Sequence, residues 1–144
     1  MKKFLIVDDD ADDREMFCEA LQDALQDCLC YSVPNGRRAM IALDNGEIGI
    51  PDLIFLDINM PMMNGWQCLA RLKETEEYKN IPVIIYSTSS YPEDLEKSQH
   101  GGALCFFTKP SNFQQLKQSL ALVVDHVKTE SLESLMDSSP LFIK

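Results

Sequence analysis

The 144-residue chain is short of the residues that several chemistries need. Its two histidines, His100 and His126, supply neither a histidine-rich metal site nor a Ser-His-Asp hydrolase well. Basic residues number 13 against 23 acidic ones, a formal charge of −10, and a surface of that sign does not attract nucleic acid or anionic lipid. Long apolar runs are missing too. The stretch Phe4-Leu5-Ile6-Val7 after Met1-Lys2-Lys3 stops at Asp8, so neither a signal peptide nor a membrane-spanning segment is expected. The five cysteines, Cys18, Cys28, Cys30, Cys68 and Cys105, are odd in number, and only one residue separates Cys28 from Cys30. That pattern matches neither a disulfide framework nor a zinc site, and predicts reduced core thiols and a cytoplasmic location. A G-x-x-x-x-G-K-[ST] loop is also absent, so any phosphoryl donor has to come from elsewhere.

What is present is a regular alternation. The length fits one domain, and a chain of this size buries about two thirds of its unfolded surface without help from metal or disulfide. Short apolar runs occupy residues 3–7, 29–33, 53–57, 83–87 and 104–107, each pair separated by enough chain for one helix. Between them, Met16, Phe17, Ala20, Leu21, Ala24 and Leu25 recur at helical period. Asn35-Gly36 opens a second helical segment and Asn64-Gly65 precedes a third that carries Trp66, Leu69 and Leu72. Pro92, with Glu93 and Asp94 behind it, suits the first turn of a fourth, which Gly101-Gly102 stops. Only Leu95 is strongly apolar in that segment, so it is expected to sit loosely. Phe113, Leu116, Leu120, Val123, Val124 and Val127 mark the fifth. Strands that are apolar throughout belong to a sheet covered on both faces, so the pattern predicts an α/β fold: a five-stranded parallel sheet, doubly wound as (βα)5. Leu132, Leu135 and Met136 could extend the last helix before Ser138-Ser139-Pro140 breaks it, leaving 1–127 as the domain and 128–144 as a helical extension or tail. Leu141-Phe142-Ile143 either folds back on the domain or serves a partner.

Ligands of such sheets bind beyond the carboxyl ends of the strands. There the chain places Asp8-Asp9-Asp10 after the first strand, Asp57 at the end of the third, Ser87-Thr88 at the end of the fourth and Lys109-Pro110 after the fifth. Converging carboxylates repel by roughly 1 kcal/mol per pair in water and roughly 4 at lower effective dielectric, so they ask for a cation. Oxygen ligands with room for water and phosphate oxygens describe a Mg²⁺ site. Lys109 and the Ser87 hydroxyl are suitable donors to a phosphoryl group. Asp10, Asp12 and Asp13 read equally well as caps of the first helix.

Four motifs together are specific: Leu5-Ile6-Val7-Asp8-Asp9, Asp52 through Pro61 with Gly65 behind it, Pro82 through Ser87, and Phe107-Thr108-Lys109-Pro110. The chain resembles the receiver domain of two-component response regulators, in its stand-alone, chemotaxis-regulator-like form. The resemblance implies a flavodoxin-like fold of strand order 2-1-3-4-5 and a signalling protein rather than an enzyme. In it Asp57 accepts a phosphoryl group from a sensor histidine kinase or phosphotransfer protein. Asp8, Asp9, Asp57 and the Asn59 backbone carbonyl would hold Mg²⁺, and Ser87 and Lys109 would bind the phosphoryl group. Ser87 and Phe106 would act as switch residues, Phe106 turning inward behind the hydroxyl. The same resemblance implies a cis Lys109-Pro110 peptide and an output to an unknown protein target through the helix 4/strand 5/helix 5 face. A homodimer through that face or the C-terminal extension is a further expectation. Asn59 and Ser89 occupy positions that tune dephosphorylation, and Thr88 is larger than usual for its place and could restrict access to Asp57. The 87–94 segment and the polar 74–80 loop are similar to small receivers paired with phytochrome-type and other sensor kinases.

Two competitors share the fold type. A haloacid-dehalogenase-like phosphatase would use Asp8 and Asp10 as a D-x-D pair, but Asp12 stands where threonine or valine is wanted and a late acidic pair is missing. A flavodoxin-like flavin carrier needs a phosphate loop where Asp8-Asp9-Asp10 would repel phosphate.

Overall fold

The computed structural model describes residues 1–89 and 91–143; Ser90, within the 87–94 segment, and Lys144, at the end of the tail, lie outside the described residues. Strands β1 (Lys2–Val7), β2 (Cys28–Val33), β3 (Leu53–Leu56), β4 (Val83–Ser87) and β5 (Cys105–Thr108) alternate with helices α1 (Ala11–Ala24), α2 (Gly36–Asp44), α3 (Gly65–Glu74), α4 (Pro92–His100) and α5 (Phe113–Lys128). The five strands pair in parallel in the order β2-β1-β3-β4-β5, the flavodoxin-like order expected.

The apolar strands divide their side chains between two cores. Leu5, Val7, Ile54, Leu56, Ile85 and Phe106 pack with α2 and α3 on one face. Phe4, Ile6, Phe55, Ile84, Tyr86 and Phe107 pack with α1 and α5 on the other. This is why β3 and β4 are buried at every position. At the edge, β2 is only partly buried.

Local chemistry starts the helices. Asn35 accepts from the Arg38 N–H at the head of α2, and Asn64 with Gln67 forms a reciprocal capping box at the head of α3. Gly65 is demanded by packing: a Cβ there would lie 2.3 Å from the Asp57 carbonyl oxygen. Its absence lets α3 start against the backbone that carries Asp57. Helix α4 has no side-chain cap, starts on Pro92 and buries only Ser98.

Of the alternatives open to it, the tail folds back on the domain and does not continue the helix. After Lys128 the chain turns back, with Glu130 in the left-handed region at φ 55° and the Ser131 N–H donating to the His126 carbonyl at 2.8 Å. A 3-10 helix (Leu132–Asp137) follows, and β6 (Phe142–Ile143) then adds to the sheet antiparallel to β5. The five-stranded parallel sheet predicted is thus a six-stranded mixed one. The reason is burial: Leu135 and Phe142 become inaccessible, and the Phe142 ring stacks on Phe107 at 4.5 Å. The added strand also covers an edge that β5 would otherwise leave open.

The cysteines also depart from the expected pattern of reduced thiols. Cys28, Cys68 and Cys105 are buried free thiols, as expected, but Cys18 on α1 and Cys30 on β2 are joined in a disulfide. Their Cα atoms lie 5.6 Å apart, a separation set by how α1 crosses the sheet and not by sequence spacing. Reducing this bond should lower unfolding free energy by about 2 to 3 kcal/mol, the loop-closure contribution for a short loop. A thiol titration of the denatured chain should count three free thiols before reduction and five after. Five before reduction would show the pair unbonded.

Candidate functional site

The site lies at the carboxyl ends of β1, β3, β4 and β5, where backbone pairing holds the loops together. The Asp57 N–H donates to the Val7 carbonyl at 2.9 Å and the Asp8 N–H to the Val33 carbonyl at 3.1 Å, which places the first acidic turn beside the end of β3. The Lys109 N–H donates to the Ser87 carbonyl at 2.8 Å, which ties the β5–α5 loop to the end of β4.

Asp8, Asp9 and Asp57 each offer a carboxylate oxygen within 4.8 Å of the others. Asp8 is fully buried, Asp57 is 6% exposed, and Asp9 faces solvent. Three hard oxygen donors with one side open to water fit a divalent cation that keeps part of its hydration shell. Asp10 takes no part in this cluster. Its carboxylate caps α1, accepting from the N–H groups of Asp12 at 2.9 Å and Asp13 at 3.2 Å, so the D-x-D arrangement of a phosphatase does not form.

Lys109 reaches the same cluster from the loop after β5. Its Nζ lies 2.7 Å from Asp8, 3.0 Å from Asp13 and 3.7 Å from Asp57. The Tyr86 ring supports the same ammonium at 5.1 Å. Burial pulls the Lys109 pKa down, but the hydrogen bonds to Asp8 and Asp13 and the Asp57 charge outweigh it, and the net shift is upward. Asp57 moves the other way from most paired carboxylates, from 3.8 up to about 6. Burial is the main cause, reinforced by the Asp8 charge, and Lys109 and the Asn59 and Ile58 N–H groups only partly offset it.

Ser87 closes β4 at 1% exposure, and its Oγ accepts from the Ser89 N–H at 3.1 Å. Ser89 in turn donates through its hydroxyl to Asp94 at the start of α4, which joins the strand-four loop to that helix. Asn59 lies beyond Asp57 and donates its N–H to Oδ1 at 3.4 Å. Thr88 is exposed and lines a small cavity beside Lys109.

Phe106, expected to act as an aromatic that turns inward behind the Ser87 hydroxyl, lies on β5 with its side chain in the core. It is already inward at 1% exposure, within the core that includes Ile85, Leu95 and Ala103, and β6 pairs Ile143 alongside it. The Lys109-Pro110 peptide, expected cis, is trans, like every peptide among the described residues. Trans is the lower-energy X-Pro isomer by about 0.5 to 1 kcal/mol, and Lys109 reaches its carboxylates from it. Two residues of the site escaped the sequence reading. Asp13 looked like a cap and Tyr86 like core, and nothing local distinguishes a carboxylate that caps from one that reaches a lysine in a distant loop.

The family model of the response regulator receiver domain matches residues 4–121. The chain belongs to the response regulator receiver family. This receiver is similar to the response regulator Rcp1 of Synechocystis sp., at 32% identity over 80% of this chain and 81% of that protein. Among solved structures it is similar to the phosphorylated cyanobacterial phytochrome response regulator RcpA, at 31% identity, TM-score 0.82, and coverage of 90% of this chain and 95% of that one. The Mn²⁺-bound form of Rcp1 matches at 28% identity, TM-score 0.76, and coverage of 88% and 93%. The chain is therefore a receiver of two-component signalling, and a divalent-metal-bound structure exists for a relative. Among the described residues no helix of this receiver is long and apolar enough to cross a membrane.

Proposed function

We propose that Asp57 is the phosphoacceptor and that the acidic cluster works with Mg²⁺. The observation that carries this reading is one carboxylate at the end of β3 that lies within reach of Asp8, Asp9 and Lys109 together. Asp8, Asp9, Asp57 and the Asn59 carbonyl would hold the ion, and Ser87 and Lys109 would bind the phosphoryl oxygens. When bound, Mg²⁺ neutralises the cluster and polarises a phosphoryl oxygen.

The chain's own residues supply the rest. A carboxylate with a pKa of about 6 is mostly ionised at pH 7 and is only lightly hydrated, so an Asp57 oxygen attacks phosphorus while the donor's P–N or P–O bond breaks. Lys109 supplies positive charge where oxygen charge develops, and Ser87 supplies a hydroxyl. Water later cleaves the acyl phosphate. The protein's role is signalling, with a sensor histidine kinase or phosphotransfer protein as donor. Output goes to a protein target at the α4/β5/α5 face, and a second copy of the chain is an alternative occupant of that face. Because β6 lies along β5, a partner there also meets the tail.

With acetyl phosphate and Mg²⁺ the protein should gain one acid-labile phosphoryl group by intact mass, and Asp57→Asn should gain none. Label on Asp8, or label that survives Asp57→Asn, overturns the assignment.

A further inference from the structure

We infer that Asp13 is a positioning residue for the acceptor site: it holds Lys109 away from Asp57 and so limits how tightly a phosphoryl group is bound there. The inference rests on the reading of Asp57 as phosphoacceptor. An ammonium has three N–H donors, and Lys109 faces three carboxylates, at 2.7 Å for Asp8, 3.0 Å for Asp13 and 3.7 Å for Asp57. Oxygens of a phosphoryl group on Asp57 would bind Nζ at about 2.7 to 2.9 Å, the range of charge-assisted bonds, and would compete with Asp13 for the ammonium.

The three carboxylates are not equivalent. Asp8 and Asp57 belong to the cluster that can share a cation, and Asp13 does not. Once a cation draws on Asp8, Asp13 is the anion left to hold Lys109. Nor is Asp13 needed to start α1, because Asp10 caps that helix and takes the Asp13 N–H. The Asp13 side chain instead reaches across 96 residues of sequence to the β5–α5 loop. A cavity of about 130 Å³ lined in part by Asp13, Tyr86, Thr88 and Lys109 lies beside the pair. It leaves room for the two groups to part.

The test is beryllofluoride binding with Mg²⁺, followed calorimetrically, for the full chain and for Asp13→Asn, Asp13→Ser, Asp13→Glu, Lys109→Gln and the Asp13→Asn/Lys109→Gln double variant. Asp13→Asn and Asp13→Ser should bind about three- to tenfold more tightly, the weight of one partly exposed charge-assisted bond, and Asp13→Glu should return toward the parent. In the Lys109→Gln background the Asp13→Asn gain should disappear, because the effect passes through the lysine. Unchanged or weaker binding in both Asn and Ser variants overturns the inference. So does an equal gain without Lys109, which would reduce Asp13 to a distant charge. Labelling of Asp57 by acetyl phosphate in the parent separates the two claims: without it the acceptor reading fails, and with it a null result at Asp13 sinks only this inference.

Discussion

Phe106→Ala is expected to lose about 3 to 5 kcal/mol of unfolding free energy, the cost of a phenyl-sized cavity in a packed core. The ring is 1% exposed and sits across from Ile85 on β4, in the core that also holds Leu95 and Ala103. Ile85 lies on β4, and β5 is tied by backbone pairing to β4 on one side and β6 on the other, so little collapse into the void is available. Asp57 stands at the end of a different strand, two places away in the sheet. Labelling by acetyl phosphate should therefore survive in the folded fraction. Urea unfolding and mass-detected labelling of one preparation decide the matter. A loss below about 1 kcal/mol would show that the site repacks. Lost labelling in a folded variant would make Phe106 part of the acceptor site and not of the path leading away from it.

Asp57→Asn should be more stable than the parent at pH 7.5 without metal. The folded pKa of about 6 lies above the ordinary 3.8, so between those values the native state keeps a proton that the unfolded chain has lost. Stability therefore falls as pH rises through that window, and above it the full penalty of an ionised Asp57 remains. A shift of this size corresponds to roughly 3 kcal/mol at most, and the site's opening to solvent reduces the expected gain to about 1 to 2 kcal/mol. Below about pH 4 both states are protonated and the advantage should vanish. Saturating Mg²⁺ should reverse the order, because only the parent keeps the full set of ligands that favour the folded state. Urea midpoints at pH 7.5, 5.5 and 4.0 in chelator measure this directly. An advantage independent of pH would trace the gain to something other than the Asp57 charge.

Phe106 carries packing between β4 and α4, and Asp57 carries charge that burial leaves only partly compensated. A protein that holds an ionised carboxylate at a stability cost has a ready source of binding energy for whatever neutralises it, be it a cation or a phosphoryl group.

Much of the molecule was legible in the sequence because it depends on short-range rules. Apolar runs such as 53–57 and 83–87 predict strands covered on both faces, and β3 and β4 are buried throughout. Asn35 and Asn64 stand where the first turns of α2 and α3 need an acceptor, and Pro92 suits the start of α4 because its missing N–H is not needed there. The strand-end residues Asp8, Asp57, Ser87 and Lys109 share one end of the sheet because parallel strands all finish on the same side. What only the tertiary structure decided are pairings between positions that no local period connects. Asp13 meets Lys109, Cys18 meets Cys30, and Phe142 meets Phe107 because α1, β2 and the tail come to rest at particular places on the sheet. Those places follow from the summed packing of many side chains, and a single carboxylate, thiol or terminal phenyl ring carries no sequence mark of the partner that packing will bring to it.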